Sequence, residues 1–315
     1  MRRKMASLKD KIRTALDEDR MLVLVVQVLI GFQFRGVFEA GFDRLPQEAQ
    51  YLKLVGCTLL LLTLGLLLTV PSYHRLAEDG ENTAHVGRVI STLMSVALLP
   101  FALALGIDLA VVSHKLFGFA GGVTGGCAAA GAALFFWYGI EMIARRKPEE
   151  HTMGNDESEE TSLSDKIKQI LTEGRIVLPG AQALLGFQLS GFFTDAFEKL
   201  PRGSQLLHLA ALSCVAIAAI LLMTPPAYHR IVEKGEETQR FLKVANRFVI
   251  SAMIPLALGI VIDFYVVLNK VTHAPGVSIG IATAVLALFY GLWFAYPLLA
   301  RNGRHPQLIT SPAQS

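Results

Sequence analysis

The sequence predicts an all-α membrane protein of eight transmembrane helices, arranged as two four-helix repeats that share one orientation. Three observations predict it. Hydrophobic residues fill 52% of the 315 positions and charged residues only 17%, where a soluble domain carries about 25% charge. Apolar blocks near the ~20 residues that a bilayer core requires recur at 21–42, 51–70, 89–113, 119–143, 176–197, 206–224, 248–268 and 276–299. A motif also returns at a fixed offset: Thr69-Val-Pro-Ser-Tyr-His-Arg75 is echoed as Thr224-Pro-Pro-Ala-Tyr-His-Arg230, 155 residues later.

The same offset pairs Asp10 with Asp165, Arg20 with Arg175, Gln27 with Gln182, and Gly31-Phe-Gln33 with Gly186-Phe-Gln188. It also pairs Leu45-Pro46 with Leu200-Pro201, Gly80-Glu81 with Gly235-Glu236, Pro100 with Pro255 and Asp108 with Asp263. A tandem duplication explains all of these at once. Residues 1–147 form the first repeat, 148–164 an acidic linker expected to be disordered, 165–304 the second repeat and 305–315 a tail. Of the 29 Lys and Arg, all but Arg35, Arg44, Lys53, Lys115, Lys199, Arg202 and Lys270 fall on segments that an inside N-terminus places in the cytoplasm. The positive-inside bias therefore predicts the cytoplasmic (inner) membrane, with both termini cytoplasmic. Four spans per repeat then make the repeats parallel, related by an axis along the membrane normal.

Along the chain, residues 5–20 read as an amphipathic helix on the inner surface, with Leu8, Ile12 and Leu16 on one face, and residues 162–175 repeat it. Span 1 is the most polar of its repeat and carries Gln27, Gln33, Arg35 and Glu39. Arg20, Gln27, Gly31 and Arg35 share a helical face that Gln33 does not. Its glutamines serve either interhelical hydrogen bonds or a pathway lining. Span 2 is nearly pure Leu, Val and Thr, and is expected to be the most lipid-exposed helix of its unit. It closes on the repeated motif, where Tyr73 suits headgroup depth and Arg75 can snorkel into the cytoplasm. A competing reading has Tyr73, His74, Arg75 and Arg88, echoed by Tyr228, His229, Arg230 and Arg247, hold an anionic lipid headgroup or a phosphate. A third makes His74 and His229 proton sensors.

In span 3, Pro100 predicts a bend about midway, and Asp108 lies toward the outer end within reach of Arg35, which can also pair with Glu39. The second half replaces Arg35 by Ser190 and Glu39 by Thr194. Asp263 is thereby left without an evident cation. It is then either exposed near the outer surface or a partly buried acid that binds a cation or proton. Span 4, with Gly118, Gly121, Gly122, Gly125, Gly126 and Gly131, reads as a close-packing helix against a neighbouring helix or a second subunit, so a homo-oligomer is expected. Cys57, Cys127 and Cys214 lie in apolar blocks outside any disulfide or metal-ligand spacing and read as small buried hydrophobes.

With the paired Gly-Phe-Gln, Leu-Pro, Thr-x-Pro-x-Tyr-His-Arg-x-x-x-x-Gly-Glu and late Asp, each half resembles a four-helix domain of unknown function found in small prokaryotic multi-pass membrane proteins. That resemblance implies a fold and a location, and no activity. No His-x-x-His box, Gly-x-Ser-x-Gly or phosphate-cradling glycine loop occurs, so neither an enzyme nor a cofactor or metal site is expected, nor a nucleic-acid partner. The leading expectation is an ion channel or small-solute transporter, its inorganic ion or solute passing Gln27, Gln33, Arg35, Glu39, Asp108, Gln182, Gln188 and Asp263. The alternative is a membrane scaffold or lipid-interacting protein. A pathway needs the glutamines and Asp263 on a continuous polar cavity, whereas a scaffold has them saturated by neighbouring helices.

Overall fold

A computed structural model describes residues 8–139, 162–234 and 236–302. The described residues are helical with short turns: α1 (Leu8–Val37), α2 (Gln47–Leu76), α3 (Ala84–Leu134), α4 (Leu163–Gly191), the one-turn α5 (Asp195–Glu198), α6 (Arg202–Ile231), α7 (Gln239–Thr272), α8 (Pro275–Tyr290) and α9 (Tyr296–Asn302). A π-helical turn, Phe135–Gly139, prolongs α3, and another, Gly291–Ala295, joins α8 to α9. Six of these helical stretches are long and apolar enough to cross a membrane: α1, α2, α3 with its π turn, α6, α7 and Pro275–Asn302. In α4, the charges between Asp165 and Arg175 leave an apolar run of only 176–191.

The two amphipathic segments are the first turns of α1 and α4, each continuous with its apolar part, rather than separate surface helices. Ile12 and Leu16 are buried against Val70, Val86 and Ile90, so the apolar face that suggested lipid contact meets protein instead. The acidic linker falls outside the described residues except at its end, where Ser162 caps α4 by accepting the Asp165 N–H. Thr83 and Thr238, 155 residues apart, cap α3 and α7 in the same way through Val86 and Phe241.

α3 runs through Pro100, and its sharp break comes at Gly118 (φ 72°, ψ −168°), a backbone region essentially reserved for glycine. The chain folds back there. Gly126 lies against Ala110, and Ala130 against Gly106, so the predicted small-residue packing of span 4 is made within its own hairpin.

α1 and α4 lie side by side in the same direction. Phe32 packs on Phe187 with ring centroids 4.3 Å apart, Arg35 donates to Ser190, and Lys9 pairs with Asp165, each partner being the equivalent residue or its neighbour in the other repeat. The repeats are therefore parallel about an axis running between these helices.

The expectation for span 2 is overturned, because α2 is the most buried of the six apolar helices: 72% of its most apolar window is buried, against 28% for its counterpart α6. The cause is the end of the second repeat, which packs across onto the first. Phe289 and Trp293 seat on Gly65, and the Trp293 indole N–H donates to the Gly65 carbonyl at 2.9 Å. At the equivalent position α6 carries Ile220, which is 66% exposed.

Candidate functional site

Polar side chains collect at the two ends of the bundle. At the Tyr-His-Arg end, a cavity of about 280 Å³ opens between the repeats, lined by His74 and Arg75 of α2, Lys166 and Gln169 of α4, and Lys243 and Asn246 of α7. The motif is not the exposed membrane boundary that snorkelling implied. Tyr73, His74 and Arg75 are all buried. The Tyr73 hydroxyl hydrogen-bonds His85 at 2.9 Å, and Arg75 donates to the Asn246 side-chain oxygen at 3.1 Å. His74 Nε2 and Gln169 Oε1 are buried with no hydrogen-bond partner. Lys166 pairs with Glu81, and buried Arg20, which bonds Asp17 and the Gln169 carbonyl, is near enough to oppose the charge on Arg75. Lys9 and the Ser162 hydroxyl hold the Asp165 carboxyl below the ordinary carboxylate range.

The second copy of the motif is less buried. Tyr228 and His229 are half-buried against Phe241, and Arg230 is exposed. Arg88 and Arg247 are both exposed and do not line the cavity. Lys243, the equivalent of Arg88 155 residues on, lines the cavity with Arg75 instead, so the cavity takes basic residues from both repeats.

At the opposite end, each repeat carries one polar triad. In the first, Gln33 Nε2 and Lys53 Nζ both donate to the Asp108 carboxylate, the lysine at 2.8 Å. In the second, Gln188 Nε2 donates to Asp263 Oδ2 at 2.8 Å, and His208 Nδ1 faces Asp263 Oδ1. Residues 53 and 208 are again 155 apart. Asp263 is thus neither exposed nor without a basic partner: it and His208 are each 2% exposed. Arg35 pairs with Glu39 rather than Asp108. Gln27 is buried against Gly180, whereas Gln182 is exposed. Beside Asp263 the open space is about 10 Å³. Among the described residues no three His, Cys, Asp or Glu gather as metal ligands. The cysteines are free; Cys57 is buried as expected, but Cys127 is exposed.

A family of unknown function, DUF6328, matches this chain twice, over residues 6–141 and 156–297. The chain belongs to the DUF6328 family. No curated protein and no solved structure matches it. The double match makes it a tandem pair of DUF6328 domains, as the 155-residue offset predicted. In each DUF6328 domain, sequence reading missed the basic partner of the late aspartate. The signal was the offset itself, which aligns Lys53 with His208 and Arg88 with Lys243; comparing only identical residues passes over both pairs.

Proposed function

We propose that this tandem DUF6328 protein crosses the cytoplasmic membrane eight times with both termini inside, and binds the phosphate of an anionic lipid headgroup in the cavity between its domains. The two arms of α3 count as separate crossings, and α4, sheltered against α1, is the eighth. One observation carries the ligand: buried Arg75, whose charge Arg20 opposes from outside the cavity, shares about 280 Å³ of open space with Lys166 and Lys243. Basic groups gathered on one cavity attract an anion, and guanidinium and ammonium donors match phosphate oxygens. The inner membrane face supplies such headgroups at the depth where the motif ends.

Transport asks more of this fold. Gln33, Gln188, Asp108 and Asp263 would have to line a continuous polar cavity, yet each is bonded to a neighbour. The space beside Asp263, about 10 Å³, has room for about one water.

The test is thermal unfolding of the purified protein in detergent with added phosphatidylglycerol, phosphatidylcholine or inorganic phosphate. Phosphatidylglycerol should raise the melting temperature of the wild type by mass action. Lys243→Ala should weaken the affinity that this response reports roughly tenfold, from the loss of one charged hydrogen bond. A shift with inorganic phosphate alone would reassign the site to the free anion, and equal lipid responses in wild type and variant would sink the proposal.

A further inference from the structure

His208 lies between two acceptors. Its Nε2 is 3.0 Å from the Gln188 backbone carbonyl, which can only accept, so Nε2 carries a proton. Its Nδ1 faces Asp263 Oδ1, and a hydrogen bond there needs one proton more. We infer that His208 and Asp263 form a proton-binding site in the second DUF6328 domain, holding one proton where the first domain holds the ammonium of Lys53. The proton belongs to the pair: an imidazolium beside a carboxylate and a neutral imidazole beside a carboxylic acid have the same total charge. Either way the pair is neutral.

The surroundings make that proton matter. Rings of Phe38, Phe192 and Phe197 close on the imidazole at 5.9, 4.9 and 5.3 Å. Gln188 donates to the second carboxylate oxygen, which completes the set of partners. Of the charged groups on the elements packed around the pair, Arg35 of α1 lines the same small cavity and is matched by Glu39. Asp195 and Glu198 of α5 and Arg202 of α6 are exposed, and Lys270 of α7 is taken up by Asp43 and the Val37 carbonyl. Each of these is exposed or already paired. Deprotonation turns a nitrogen lone pair toward the carboxylate and leaves a net negative charge in a site that is 2% exposed, which is strongly destabilising.

In the first domain a lysine stands at the same position, and the Lys53–Asp108 pair is partly exposed, with side-chain exposures of 21% and 24%. The pH response is therefore assigned to the second domain. This site is independent of the lipid cavity at the other end of the bundle.

The experiment follows thermal unfolding in detergent from pH 6 to pH 9 for wild type and His208→Lys, which copies the first domain. The wild type should lose roughly 5–10 °C as the proton is released, and His208→Lys should lose little. Equal pH responses in the two proteins would overturn the assignment. The wild type alone provides a second measurement at pH 7: the nitrogen NMR spectrum of histidine-labelled protein with the infrared band of Asp263. Two protonated ring nitrogens, or a protonated Asp263 carboxyl, support the site. A bare Nδ1 beside an ionised carboxylate overturns it.

Discussion

The Gly65 carbonyl accepts two side-chain hydrogen bonds, one from the Thr69 hydroxyl of its own helix and one from the Trp293 indole of the other domain. Trp293 is fully buried and stacks on Phe289 at 4.5 Å. A Cβ at Gly65 would come within 3.2 Å of the Phe289 ring, so glycine is what lets the aromatic pair approach. Trp293→Phe should cost about 1 kcal/mol for the lost bond, and Trp293→Ala about 3–5 kcal/mol for the cavity as well. Unfolding in detergent would measure both. Ile220→Ala, at the position equivalent to Gly65, should change stability by less than about 0.5 kcal/mol, because that side chain is 66% exposed. Comparable losses from Trp293→Ala and Ile220→Ala would mean that the domains do not dock as described. The sequence contains this asymmetry as Gly65 against Ile220, but nothing in it says which aromatic residues would arrive there.

Among the elements, α3 depends most on one backbone position. Its arms fold together on Gly106, Ala110, Gly126 and Ala130, a seam that the small-residue spacing made legible. The turn between them rests on Gly118. Gly118→Val puts a β-branched side chain at φ 72° and should cost about 1–3 kcal/mol. It should also abolish disulfide formation between paired cysteines at positions 110 and 126, read by gel mobility. Retained cross-linking at wild-type stability would show that the hairpin does not need its glycine. α1 and α4 teach the opposite lesson, since an amphipathic pattern specifies an apolar face and leaves open whether lipid or another helix covers it. For Ile12 and Leu16, the cover is Val70, Val86 and Ile90.

For the whole molecule, the proposed eight crossings put Asp79, in the turn after α2, on the inside and Phe119, just past the α3 bend, on the outside. Both are exposed. In a cysteine-free background, an impermeant thiol reagent applied to intact cells should label Phe119→Cys and leave Asp79→Cys unmodified until the membrane is opened. The reverse pattern would invert the topology, and labelling of neither residue before lysis would argue against a separate fourth crossing. The duplication, the helical class, the apolar blocks and the parallel sense of the repeats follow from sequence by itself, because each is carried by composition or by a spacing that local rules can read. Tertiary structure alone decided that α2 is buried and α6 exposed, that Lys243 rather than Arg88 lines the cavity with Arg75, and that His208 is the partner of Asp263. The physical reason is common to all three. A duplicated sequence describes two nearly equal halves, but which face meets which depends on contacts between residues far apart in the chain, and a single glycine at position 65 admits the Phe289 and Trp293 rings on one side only.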